Sequence, residues 1–180
     1  MKVVAIVGMA GAGKSEVARV FEEHGFKKVR FGDITDEELK NRGLEPNEEN
    51  ERCIREQLRR KHGMDAYAKL NLPRIDSSLK SSNVVIDGLY SWEEYILLKE
   101  YYGGQFTIVA VWASAATRHG RLAHRAKRPL TLEEAANRDK SEIENSNKGG
   151  PIAMADFTIV NEASLEELEK ETERVLSVLK

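Results

Sequence analysis

Apolar residues are gathered into short runs along an otherwise densely charged chain. Val3–Val7, Val84–Ile86 and Phe106–Val111 are rich in β-branched residues and show no polar alternation. That pattern belongs to strands covered on both faces, as in a parallel sheet. Lys28–Phe31 and Phe157–Val160 are weaker candidates of the same kind. The polar stretches between them are long enough for helices, and strand–helix alternation predicts βαβ units with helices on both sides of the sheet.

Caps and stops locate the helices. Lys14–Glu23 follows the first strand, and Gly25 stands where a helix stop belongs. Asn47–Lys61 is highly charged and ends at Gly63, while Asp65–Lys80 contains Pro73, which is expected to kink or split it. Ser91 with Glu94, Thr131 with Glu134 and Ser164 with Glu167 have the spacing of a capping box. They open a helix to about Tyr102, a helix from Leu132 and the last helix. From Phe31 to Ser82 no strong strand is legible, so that charged stretch reads as a helical insertion between the second and third strands. A second helical excursion covers Ala115 to about Asn147.

Composition narrows the class. The 180 residues favour one domain with a substantial core. Hydrophobic residues make up 41% and charged residues 32%, with a net charge of −2, so nothing global marks a nucleic-acid or membrane-surface binder. Cys53 is the only cysteine, which excludes an intramolecular disulfide, fits a reducing compartment and reads as a semi-buried helix residue. The opening MKVVAIVG is too short in apolar residues for a secretory core, and no run reaches bilayer-spanning length. A cytoplasmic protein without membrane attachment is expected. His24, His62, His119 and His124 show no paired ligand spacing, so no metal site built from protein ligands alone is expected.

The chemistry begins at Gly8-Met9-Ala10-Gly11-Ala12-Gly13-Lys14-Ser15, which matches G-x-x-x-x-G-K-[ST]. Glycines let backbone amides approach phosphate closely, and the following helix adds its free N–H groups and dipole. Lys14 would neutralise the β- and γ-phosphates of ATP, and the Ser15 hydroxyl would reach Mg²⁺. Gly8, Ala10, Gly11, Ala12, Gly13, Lys14, Ser15 and Glu16 are therefore the candidate ATP contacts. The loop follows a β-branched strand and precedes a helix, the context the motif requires.

Further candidates cluster near strand ends. VVIDG places Asp87 at the carboxyl end of a buried strand, where it can hold Mg²⁺ directly or through water. Asp33, just after a weaker strand, is either a base for an acceptor hydroxyl, a partner of the metal's water shell or the N-cap of a helix starting near Thr35. Residues 101–132 contain no acid, yet Arg118, Arg121, Arg125 and Arg128 recur at helical spacing before Pro129. Stacked cations repel one another unless an anion fills the face, so this reads as a lid helix closing over ATP. Arg138 could join it or pair with Asp139 or Glu142.

Taken together, the cradle, VVIDG and the arginine helix resemble the nucleoside-monophosphate kinase group of P-loop proteins, most closely dephospho-CoA kinases and adenylate-kinase-related proteins. RPLTLEEAANRD and ADFTIVNEASLEELEKETERVL look like the lid and last strand–helix of dephospho-CoA kinases, and the resemblance puts Asn161 near the adenine. Two departures stand out. Adenylate kinases usually carry acceptor-clamping arginines soon after the GD turn and after DG-x-P. Here those segments read FGDITDEE and DGLYS, with Asp36, Glu37, Glu38 and Tyr90. An acidic wall repels an acceptor phosphate and fits better an acceptor that presents a hydroxyl to Asp33. Arg42, Arg52, Arg55, Arg59 and Arg60 are either a substitute clamp or a solvated face paired with neighbouring glutamates.

The expectation is a three-layer P-loop NTPase fold with a parallel sheet of about five strands. Its core is residues 1–32, 83–114 and 152–180, its helical acceptor-binding insertion is about 33–82 and its lid is about 115–150. The expected activity is transfer of the γ-phosphoryl group of ATP, with Mg²⁺, to a small nucleotide-like acceptor. Lys14, Asp33, Arg121 and Arg125 would be catalytic, Arg118, Arg121 and Asn161 would bind ATP, and Ser15 and Asp87 would hold the metal. The rival from another class is a nucleotide-binding sensor without turnover. A GTPase is disfavoured because NKGG lacks the aspartate of N-K-x-D, and a polynucleotide kinase rests on the arginine face alone. The sequence carries no signature of an oligomeric state.

Overall fold

The computed structural model describes residues 1–126 and 129–179. Its centre is a five-stranded parallel sheet: β1 (Val3–Val7), β2 (Lys27–Arg30), β3 (Val84–Asp87), β4 (Phe106–Trp112) and β5 (Phe157–Val160), in the order β2-β3-β1-β4-β5. Nine helices lie among the described residues: α1 (Lys14–Glu23), α2 (Asp33–Asn41), α3 (Glu48–His62), α4 (Ala66–Leu79), α5 (Trp92–Tyr102), α6 (Ala115–His124), α7 (Leu132–Glu144), α8 (Gly149–Ala153) and α9 (Leu165–Leu179). This is the parallel sheet of about five strands, with helices on both faces, that the sequence predicts.

Every residue of β1 is fully buried, and its side chains alternate between two cores. Val3, Ala5 and Val7 meet Phe31, Ile54, Tyr67, Ile75 and Leu98 on the face covered by α2, α3, α4 and α5. Val4 and Ile6 meet Val17, Phe21, Leu168 and Leu176 on the face covered by α1 and α9. Burial on both faces is why the strand carries no polar alternation in sequence. The weak signals have the complementary cause. β2 and β5 are edge strands, in which only Val29 and Ile159 are buried.

Local signals place the ends well. Gly25 adopts φ +87 after α1, and Gly63 adopts φ +94 after α3. The capping boxes of α5 and α7 both form, and Asn47 accepts from the Asn50 N–H at the start of α3. At α9 the Glu167 N–H donates to Ser164 Oγ over 3.3 Å. Three expectations are corrected here. Pro73 does not split its helix, and α4 runs on through it. The helix expected near Thr35 begins at Asp33, capped by Gly32, so Asp33 is not an N-cap. Cys53 is exposed on α3 rather than semi-buried.

The strand order brings the loop after β1 and the end of β3 side by side, with Ile6 opposite Asp87. Crevices at the carboxyl edge of such a sheet are where ligands bind. Among the described residues no helix is long and apolar enough to cross a membrane.

Candidate active site

The loop from Gly8 to Gly13 leaves β1 at its buried end and enters α1 at Lys14. Close approach requires glycine within this loop, most severely at Gly8 and Gly13. Gly8 has φ +147, and a Cβ there would run into the Val111 carbonyl of β4. Gly13 has φ +102, and a Cβ there would run into the Asn161 amide. The loop is held from outside as well. Asn161 Nδ2 donates to the Ala12 carbonyl over 2.8 Å, and Arg118 Nη1 donates to the Ala10 carbonyl over 3.1 Å. Ala10 and Ala12 are buried, and Ala10 packs with Leu122 and Ala135. Glu16 points along α1, where it pairs with Arg19 at 3.0 Å.

Ser15 Oγ and Asp87 Oδ2 stand 3.4 Å apart across the β1–β3 edge. A hydroxyl and a carboxylate converging there fit Mg²⁺, which keeps several waters and takes most remaining ligands from phosphates. Among the described residues no group of three or more His, Cys, Asp or Glu could hold a metal by itself.

Lys14 Nζ donates to the Met9 carbonyl over 3.0 Å. Burial, then the nearby Lys148 ammonium, push its pKa down to about 7, against the pull of Glu142 and Asp87. An ammonium so placed is short of compensating charge, and polyphosphate would supply it. At about pH 8, triphosphate binding should therefore take up on the order of one proton, and affinity should fall as pH rises further. Calorimetry in buffers of different ionisation enthalpy checks this, with Lys14→Ala removing the uptake.

Lys148 was not legible as a site residue. It is 1% exposed, its Nζ pairs with Glu142 Oε2 at 2.8 Å, and it lies 5.4 Å from the centre of the Tyr90 ring. Burial pushes its pKa down, and Glu142 opposes that. Burial pushes Glu142 up, but Lys148 outweighs it and holds the carboxyl at about 2. Arg138 pairs with Glu142 rather than Asp139, Nε to Oε1 at 3.3 Å. No local pattern announces Lys148, because its partners come from other turns of the chain.

The arginine face needs the largest correction. α6 ends at His124, and Arg125 is its extended C-cap, so the arginines do not form one continuous helical stripe. Arg128 lies outside the described residues. Arg118 is buried, with both Nη atoms on the Asp139 carboxylate at 2.7 Å and its Nε on the Ala113 carbonyl at 3.1 Å. Its donors face protein, so it ties α6 to α7 and to the phosphate loop instead of facing a nucleotide. Arg121 differs. Its Nη2 reaches Asn161 Oδ1 at 3.3 Å, while its buried Nη1 has no hydrogen-bond partner.

On the other side of Asp87, Arg30 at the end of β2 pairs with Asp33 at 2.8 Å and Asp36 at 2.6 Å. Arg30 and Asp87 are register neighbours. An arginine thus reaches the sheet edge from ahead of the GD turn, whereas the resemblance leads one to expect it after the turn. Of the insertion arginines, Arg42 pairs with Glu38 at 2.9 Å on an exposed face, whereas Arg55 pairs with the buried Glu51 at 3.4 Å. Arg59 instead turns inward over the Tyr67 ring, 5.8 Å from its centre.

A glycine-rich phosphate loop on a parallel sheet, with a lysine, a serine–aspartate pair and flanking cations, defines a P-loop domain of the kinase type. The chain belongs to the UPF0200 family and matches the family model described as an AAA domain over residues 4–148. It is 37% identical over 179 residues to a UPF0200 protein of Hyperthermus butylicus, covering 98% of this chain and 94% of that one. It is 38% identical over 178 residues to the UPF0200 protein TK1334 of Thermococcus kodakarensis, covering 97% and 96%. Among solved structures it resembles TT1252 from Thermus thermophilus, with a TM-score of 0.66 at 18% identity and coverage of 99% and 98%. Shikimate kinase from Acinetobacter baumannii gives 0.62 at 16%, covering 99% and 93%. Dephospho-CoA kinase from Campylobacter jejuni gives 0.58 at 15%, covering 99% and 97%. At these identities the structural likeness shows the fold alone.

Proposed function

We propose that the chain is an ATP-dependent phosphotransferase that moves the γ-phosphoryl group to a small nucleotide-like acceptor. The observation that carries this reading is the convergence of Lys14 with the Ser15–Asp87 pair at the carboxyl edge of the sheet. Loop amides and Lys14 hold the polyphosphate, and Ser15 and Asp87 would hold Mg²⁺, which would neutralise charge on the transferred group. Arg121 offers its unpartnered Nη1 to a phosphate oxygen. Asn161 positions both the loop and Arg121. Arg125 follows α6 directly and closes over the phosphates from there. Asp33, fixed by Arg30, accepts the proton of the acceptor hydroxyl. The kinases among its structural neighbours support the reaction class.

The test is ADP release with Mg²⁺ and ATP against dephospho-CoA, AMP, CMP and UMP. Acceptor-dependent turnover is the expected result. Tight ATP–Mg²⁺ binding with no turnover on any acceptor would make the chain a nucleotide-binding sensor instead.

A further inference from the structure

Two buried polar atoms of opposite character lie unpartnered on the acceptor side. Arg59 Nε has no hydrogen-bond partner, and neither has Glu94 Oε1. Such groups are costly when left unmatched, and each one in a folded protein asks for a ligand or a bound water. Glu94 is fully buried, and only half of its carboxylate is used. Oε2 accepts from the Tyr90 N–H at 2.7 Å and the Ser91 N–H at 3.3 Å.

Ring and hydrogen-bond contacts join these groups to one another, and their charges are felt at the reacting end. The charges of both Arg59 and Lys148 act on Glu94, and Lys148 also acts on Lys14. Tyr90 lies against Gly88 and is influenced by Asp87, Arg30, Glu94 and Tyr67. The Tyr67 and Tyr90 rings meet edge to face, 5.9 Å apart, and Tyr67 is fixed by its hydroxyl to Thr35 at 2.5 Å. Arg59, Tyr67, Tyr90, Lys148 and Glu94 thus form one contiguous group: Arg59 over Tyr67, Tyr67 against Tyr90, and Tyr90 beside Lys148 and Glu94. Burial raises the Glu94 pKa to about 7, so near neutrality this carboxyl is short of partners for its charged form.

We propose that Arg59, Tyr67, Tyr90, Glu94 and Lys148 seat the non-reacting end of the acceptor, and that this end pairs an anionic group with a hydrogen-bond donor. The anion accepts from Arg59 Nε, and the donor meets Glu94 Oε1. The hydroxyl at the acceptor's other end faces Asp33 and the phosphoryl group. This rests on the phosphotransferase reading above and adds to it the chemical class of the acceptor. It also explains how a chain lacking arginines in FGDITDEE and DGLYS still binds an anion: the positive charge comes from the far end of α3 and from Lys148.

The experiment compares the parent with Arg59→Gln, Arg59→Lys and Glu94→Gln. ATP–Mg²⁺ affinity is measured first, then binding and turnover of three sets of probes. AMP and dephospho-CoA carry phosphate, shikimate and gluconate carry carboxylate, and adenosine and glucose carry no charge. A charged probe should be used well and the uncharged ones poorly, and the successful charged set identifies the anion. Arg59→Gln should raise the KM of that probe about 10- to 100-fold, with kcat and ATP affinity little changed and Arg59→Lys in between. Unchanged KM in Arg59→Gln, equal use of uncharged probes, or no charged probe bound beside ATP–Mg²⁺ would overturn the proposal. Failure of ATP–Mg²⁺ to bind the parent would instead remove the phosphotransferase reading beneath it.

Discussion

Replacing Lys14 by alanine is expected to lower phosphoryl transfer by about 10²- to 10³-fold or more, since it removes a fixed positive charge aimed at the transferred group. The same variant should be no less thermally stable than the parent. In the absence of nucleotide, Lys14 Nζ has one hydrogen bond, to the Met9 carbonyl, and burial and Lys148 already disfavour its charge. A side chain kept at some cost to the fold and needed for the ligand is the signature of a functional site. Transfer rates and melting curves on one preparation check both halves. An unimpaired rate contradicts the scheme, and a collapse of the fold would show Lys14 to be structural.

Arg118→Met is expected to show the opposite division. It removes a bidentate pair that is nearly buried, with side-chain exposures of 7% for Arg118 and 16% for Asp139, and leaves Asp139 with His119. Breaking such a pair costs about 3–5 kcal/mol, which in a domain of this size lowers Tm by roughly 6–20 °C. Triphosphate affinity should fall too, because the Ala10 carbonyl of the phosphate loop loses its donor. The pH dependence has a definite sign. Burial pushes Asp139 up, but Arg118 and His119 outweigh it and hold the carboxyl below its ordinary range. The stability this contributes is present above the ordinary carboxylate pKa of about 4 and is lost as pH falls through the lowered value. The gap between parent and variant should therefore narrow in acid, which melting curves across that range will measure.

The contrast between these two cations shows what could be read from residue types and spacing. Lys14 was identifiable because its task is local: the loop, the lysine and the helix start occupy adjacent positions. Arg118 and Arg121 were identifiable as cations near a lid but not by role. Their spacing in an acid-free stretch suggested one face turned to ATP, yet Arg118 finds its acid 21 residues later, on α7. Arg121 finds Asn161, 40 residues later, after β5. Asn161 was singled out by resemblance, while its grip on Ala12 depends on β4–β5 pairing. Arg30 precedes the GD turn, on the opposite side from the arginine that the resemblance leads one to expect. Its position at the end of a strand was the available signal.

The acceptor side was least legible. α3 reads as a solvated charged helix, yet it buries Glu51 beside Arg55 and turns Arg59 inward. What sets Arg59 apart is the direction in which the packed helix presents it, over the Tyr67 ring of α4. Glu94 was read as half of a capping box, and the structure shows that box formed. Its second oxygen became notable only because the surrounding core closed over it without a partner.

By itself the sequence determined the parallel sheet, most helix ends and the polyphosphate seat. Each of these is written in patterns among residues a few positions apart: β-branched runs, cap hydroxyls with their acids, and glycines before a helix. Only the tertiary structure decided which charges are spent on the protein and which are left for a ligand. Charge pairing acts through space at a few ångströms, between elements that the chain separates by tens of residues and the fold brings together.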